Sequence, residues 1–124
     1  MIQVESLLRI TDNSGCRTGR CIKVLERFQN KWGCCGDLIL VAIQKLKKGK
    51  EIKIKKGDLH LGVILRTNSK FRRRNYNFIN FKENSIGLLT KQFRPLGTRI
   101  KGPVLRELRK SKFMKLASIS GGFV

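Results

Sequence analysis

The sequence predicts a small, mostly β domain of barrel type with a short helical end. Three observations carry this reading. Short β-rich segments recur through the first 90 residues, several of them alternating apolar with polar. Glycines at Gly15, Gly36, Gly49 and Gly57 punctuate those segments as turn residues. After Gly97 the pattern changes: Pro103 suits the first position of a helix, and Val104, Leu105 and Leu108 follow at helical spacing.

Taken in order, the first strand is expected at 8–11. A second runs over 21–28, where Ile22 and Val24 alternate with Lys23 before the run reaches Phe28. The third, 37–46, is β-rich and largely apolar. A fourth is expected at 51–56, with Ile52 and Ile54 on a buried face and Lys53 and Lys55 on a basic one. Residues 59–66 place Leu59, Leu61, Val63 and Leu65 on one side. Strands at 76–81 and 86–89 follow. Residues 103–110 read as a short helix, and 112–117 as another turn or two. Many short strands at this spacing suit a small barrel. One domain over 1–124 is expected, with the barrel at about 1–96 and a basic loop and short helices at about 97–124.

Charge narrows the function. The chain has 28 Lys+Arg against 8 Asp+Glu, a formal net charge of +20. The cations recur at 45–56 (KLKKGKEIKIKK), at 70–74 (KFRRR) and over 91–115 rather than in a tail. Self-repulsion of this size disfavours a compact state unless a polyanion neutralises it. A basic face on a folded body is the footprint of a nucleic-acid binder. No membrane partner is expected, because neither an apolar anchor nor a basic amphipathic helix is evident. The longest apolar runs, such as 38–43, are too short to span a bilayer. The opening MIQVESLL is neither a signal nor a transit peptide, so in an organelle the chain would be mature or made there.

Cys16, Cys21, Cys34 and Cys35 invite a zinc reading, but one gap is four residues and the other pair is adjacent. Reduced thiols used as small apolar residues are the favoured reading. No metal, disulfide or cofactor is expected. Catalysis finds no constellation either. The acids are scattered, and His60 sits inside a strand. Ser14 and Ser111 have no evident base, and Gly49-Lys50 lacks the rest of a phosphate-binding loop.

RNA is better served. The run Phe71-Arg72-Arg73-Arg74-Asn75 lies between two strands and reads as the tip of a β-ribbon that puts guanidiniums on phosphates. The aromatics are few and dispersed, and Phe78 and Phe81 are placed in or around the core. Recognition of shape and backbone in a folded RNA is therefore expected rather than a stacking platform. A free RNA-binding or RNA-chaperone module is one alternative. A small enzyme is the other, and it would need a clustered acid/base or metal site.

Several stretches converge on one family. MIQ at the start, TDNSG at 11–15, CIKVL at 21–25, KKGDLHLGVILRT at 55–67, GTRIKGPVLRELR at 97–109 and KFMK at 112–115 occur in order. Together they resemble the universal L-fourteen family of large-subunit ribosomal proteins. The resemblance implies a five-stranded β-barrel with a projecting β-ribbon and short C-terminal helices. It also implies binding of large-subunit rRNA at the interface with the small subunit. Expected partners are large-subunit rRNA, small-subunit rRNA across the interface, proteins of the L-nineteen and L-three families, and a ribosome-silencing factor.

The chain departs from the family's pattern in three places. Asn75-Tyr76 stands where the family's ribbon usually turns on Asp-Gly, and Tyr does not readily adopt positive φ. Gly87 replaces an aliphatic residue, and the ending is SISGGFV. With the Lys- and Asn-rich composition, these departures point to a mitochondrial ribosome rather than a bacterial cytoplasmic or plastid one. The expected rRNA-binding set is Asn13, Ser14, Arg17, Lys23, Lys53, Lys55, Lys56, Arg66, Arg72, Arg73 and Arg74. Thr98 and Arg99, in a loop whose flanking Gly97 and Gly102 permit close approach to another surface, join Lys115 as the expected subunit-interface or silencing-factor surface. Arg106 and Glu107 are expected to pair with each other.

Overall fold

The computed structural model describes residues 1–124 except 26–30, 50–51 and 111, with Lys110 described by its backbone alone. The described residues form strands β1 (Leu7–Ile10), β2 (Cys16–Val24), β3 (Leu38–Leu46), β4 (Leu59–Arg66), β5 (Phe71–Arg72), β6 (Phe78–Ile79) and β7 (Ser85–Leu89). A 3₁₀ turn, Arg106–Lys110, and the helix α1, Met114–Ser118, follow. Strands β1-β2-β3-β4-β7 close into a barrel, and β5 pairs with β6 as a separate ribbon. Neighbours in the barrel run antiparallel except at the seam, where β1 lies parallel to β7 with Arg9 opposite Ser85 and Ile10 opposite Ile86.

Two apolar clusters divide the molecule. Leu8, Ile10, Cys16, Cys21, Ile39, Val41, Ile43, Ile64, Ile86 and Leu88 fill the barrel. Leu38, Val63, Leu65, Leu89, Ile100, Val104, Leu108, Phe113, Leu116 and Ala117 form a second core between the barrel wall and the C-terminal segment. Alternation along β4 explains this: Ile64 points into the barrel, while Val63 and Leu65 point out against α1. The apolar side expected from Leu59, Leu61, Val63 and Leu65 is therefore the outer one. The C-terminal segment covers it only partly, which leaves Leu59 59% exposed. Each large side chain buried in these cores stabilises the fold by about 1.5–3 kcal/mol.

Several expected boundaries shift. Strand β2 begins at Cys16, well before the expected start, and ends at Val24; residues 26–28 lie outside those described. Residues 52–56 are not a strand, and Glu51 lies outside the described residues. Their alternation is real, since Ile54 is buried in the barrel core and Ile52 packs against it while Lys53, Lys55 and Lys56 are exposed. Their backbone, however, pairs in no ladder. Only Phe78–Ile79 of 76–81 is strand. The helix expected from Pro103 starts at Arg106, because Val104 is engaged in a bridge with the chain's end. Its N–H donates to Gly122 O, and its carbonyl accepts from Val124 N, both at 3.0 Å. The turn that follows is 3₁₀, with Leu108 N–H donating to Leu105 O at 3.1 Å.

The buried carboxylate of Asp12 ties the seam together. Its Oδ2 accepts from Leu88 N at 3.0 Å, and its Oδ1 accepts from Ser14 N at 3.1 Å and from the Ser14 hydroxyl. Leu88 lies in β7 and Ser14 in the turn after β1, so one side chain spans the closure. Replacing Asp12 with Ala should orphan the buried Leu88 N–H and lower the unfolding free energy by about 2–3 kcal/mol. The measurement is a urea melt, and an unchanged midpoint would show that the seam does not depend on this carboxylate.

Candidate nucleic-acid interface

An open cleft of about 1280 Å³ runs along β1, the start of β2 and the end of β3. Arg9, Arg17, Lys45, Lys47, Lys48, Arg66 and Lys101 line it, against a single acid, Glu83. Arg9, Arg17, Lys45, Lys48 and Lys101 are exposed. Strand geometry places Arg9, Arg17 and Lys45 there, since each strand shows one face to its core and lifts its cations to the other, while Lys48 and Lys101 come from an adjoining turn and loop. Lys47 is half-buried, and its Nζ donates to Asp12 O at 3.2 Å, so the seam also orients a cation of the cleft.

Arg66, expected as an RNA ligand, forms the cleft floor instead. Its residue is 7% exposed. Nε donates to Ser85 Oγ at 2.7 Å and Nη2 to Lys101 O at 3.1 Å, while Nη2 also lies 3.3 Å from Glu83 Oε1. Burial lowers its pKa from the usual arginine value, opposed by the Glu83 charge. Glu83 also pairs with Arg9 at 2.6 Å. Gly102 sits directly over the guanidinium at φ 89°, and a Cβ there would stand 2.2 Å from Nη1.

Asn13 and Ser14, also expected on RNA, build the turn. Asn13 Nδ2 donates to Thr98 Oγ1 at 2.7 Å, and its Oδ1 accepts from Thr98 N at 2.7 Å and Arg99 N at 3.3 Å. A Cβ on Gly97 would fall 2.6 Å from that Oδ1. The flanking glycines thus admit close approach of the chain to itself. Thr98 and Arg99 remain exposed. Ile100 N–H donates to Ile119 O at 3.0 Å, which ties this loop to the residue after α1, the helix on which Lys115 is exposed. Residues read as two separate surfaces, Asn13 with RNA and Thr98–Arg99 with a partner, occupy one locus.

The ribbon is also reshaped. Phe71 and Arg72 are strand rather than tip, opposite Ile79 and Phe78. Tyr76 does adopt a positive φ of 62°, with its N–H donating to Arg73 O at 3.1 Å to close the turn. Arg73 Nε lies 2.7 Å from Glu107 Oε1 as an ion pair, and Nη2 donates to Val124 O. Glu107 therefore pairs with Arg73 rather than Arg106, and Arg73 holds the ribbon against the C-terminal segment. Arg72 and Arg74 are exposed, as is Lys23 on β2.

Cys16 and Cys21 lie in the barrel core, where burial raises both thiol pKa values. Cys35 is raised for the same reason, against a hydrogen bond with Thr67 at 3.4 Å. His60 is half-buried opposite Val41, and Ser111 lies outside the described residues. Sequence reasoning missed Arg9, Lys45, Lys47, Lys48 and Lys101. The lysines lie in the basic runs over 45–56 and 91–115, but only the fold gathers them with Arg9 around one cleft.

Substituting Gly102 with Ala should destabilise the fold by more than about 1 kcal/mol, since Ala is strained at that φ and its methyl displaces Arg66. Gly121→Ala is the control, because its Cβ would meet nothing closer than 3.6 Å. Equal thermal midpoints for the two variants would refute the packed floor.

A family model described as Ribosomal protein L14p/L23e matches residues 1–124, the whole chain.

Proposed function

Because the chain belongs to the Ribosomal protein L14p/L23e family, and with it to the structural, RNA-binding proteins of the large ribosomal subunit, we propose that it holds large-subunit rRNA in its basic cleft and meets the small subunit through the Thr98–Arg99 loop. The family is structural rather than enzymatic, so the chemistry to explain is binding. The observation that carries the reading is the cleft itself, in which seven cations face one acid. Each phosphate neutralised there releases condensed counterions, so affinity falls steeply with salt, by about 10³-fold between 50 and 200 mM for six contacts. Phosphate contacts fix register without reading sequence, which suits a protein that recognises one folded RNA by shape.

Lys23, Lys53, Lys55 and Lys56 extend the basic face, and Arg72 and Arg74 add the ribbon. Thr98, Arg99 and Lys115 form a second surface for small-subunit rRNA in the active ribosome and for a silencing factor in the idle one. Ribosomal proteins of the L-nineteen and L-three families are the proposed neighbours. The proposed location is the mitochondrial ribosome, supported by the Lys- and Asn-rich composition and by the Asn75-Tyr76, Gly87 and SISGGFV departures.

Reversing charge at Arg17, Lys45, Lys48 and Lys101 to Glu should release the protein from the large-subunit peak at a salt concentration the wild type survives, and flatten the salt slope of rRNA binding. Co-sedimentation identical to the wild type would overturn the cleft as the rRNA site. Separately, Arg99→Glu with Lys115→Glu should spare incorporation into the large subunit and impair subunit joining or silencing-factor binding. Normal joining and binding, or loss from the large subunit altogether, would defeat the second surface.

A further inference from the structure

The ribbon carries a feature that phosphate binding leaves unused. Tyr76 is 74% exposed and Phe78 62%, the two most exposed aromatic rings among the described residues. Phe78 was expected in the core and stands outside it. Strand pairing sets Phe78 opposite Arg72, and the Arg72 guanidinium lies over the Tyr76 ring, 4.9 Å from its centroid. Arg72 is thus cross-strand neighbour to one exposed ring and stacked on the other. Beside them a groove of about 500 Å³ runs between the ribbon and the 3₁₀ turn, lined by Phe71, Arg72, Arg74 and Arg106 among others. Its acid, Glu107, is occupied by Arg73.

We infer that this ribbon is a stacking clamp for unpaired bases of large-subunit rRNA, an inference that rests on the rRNA-binding reading above and assigns the ribbon a ligand within it. Phosphates gain nothing from an aromatic face, whereas a base plane stacks on Tyr, Phe or a guanidinium irrespective of its identity. Bases in a duplex are already stacked on their neighbours, so only unpaired ones can be taken. The surrounding Arg72, Arg74 and Arg106 supply the charge complementarity that selects a nucleic acid over an apolar protein segment. The Arg73–Glu107 ion pair ties the ribbon to the C-terminal segment, and the Arg72 guanidinium over Tyr76 limits that ring's freedom before the base arrives.

The test uses the full chain with a single-stranded RNA carrying 2-aminopurine and with a blunt duplex of the same sequence. Wild-type protein should quench the fluorescence of the single strand on binding. Tyr76→Leu with Phe78→Leu should abolish the quenching and weaken single-strand affinity roughly tenfold or more. Duplex affinity and the salt slope should stay unchanged, because no charge is removed. Tyr76→Phe should retain the quenching. On isolated large subunits, the double Leu variant should leave unpaired rRNA bases newly reactive to a base-modifying reagent. Equal loss on duplex and single strand, undiminished quenching in the double variant, or no newly reactive base in large-subunit rRNA would overturn the clamp. Failure of the wild type to bind either RNA would instead overturn the rRNA-binding reading on which it rests.

Discussion

The carboxylate of Asp12 is the interaction on which the rest of the molecule depends. It joins the turn after β1 to the backbone of β7, and the Asp12 backbone carbonyl accepts from Lys47 at the cleft. Its neighbour Asn13 clamps the Thr98–Arg99 loop. A chain of charge +20 has few acids with which to organise itself. Each acid among the described residues is engaged: Glu5 with Arg20, Asp12 at the seam, Asp37 with Cys34 N, Asp58 with Lys55 N, Glu83 with Arg9 and Arg66, and Glu107 with Arg73. Negative charge holds the scaffold, and most of the positive charge is left to face outward.

That division accounts for the mixed fate of the expected rRNA-binding residues. Arg66 and Arg73 are cations in sequence but struts in the fold, each fixed by an acid and by backbone carbonyls. Burying a guanidinium is tolerable only where it is paired in this way. Exposed ion pairs such as Arg20–Glu5 contribute about 0–1 kcal/mol, so the electrostatic scaffolding is concentrated at Asp12, where burial keeps water from screening it.

How much was legible follows from the same physics. Period-two alternation marked β4, while β1, β3 and β7 showed as short β-rich segments. Alternation misled at 52–56, where the side chains alternate between core and solvent although the backbone makes no ladder. The start of β2 escaped because Arg17, Thr18, Gly19 and Arg20 give no apolar period, and Gly19 faces Val41 too closely for any side chain. The helix start at Pro103 was displaced by backbone pairing between Val104 and the chain's end. The cleft was invisible because its cations come from separate segments. The ribbon's aromatic face was invisible because a two-residue strand carries no period, and an isolated Phe is read as core by default.

The parallel seam shapes how the protein comes into being. Thr11 donates its hydroxyl to the carbonyl of Ile86, 75 positions away. Every other barrel ladder joins strands nearer in sequence. The first strand to leave the ribosome that synthesises this chain must therefore wait, one edge unpaired, until nearly three-quarters of the polypeptide has emerged. Closure carries the largest loop entropy of any pairing in the barrel and brings together a strongly self-repelling chain. An RNA that neutralises the cleft favours the closed barrel, since the lining joins β1 and β2 to Arg66, Glu83, Asn84 and Lys101 from the later chain. On the proposed rRNA reading, folding and ribosome assembly then draw on one another, and any copy whose seam opens without RNA offers an edge for proteases and other chains to find.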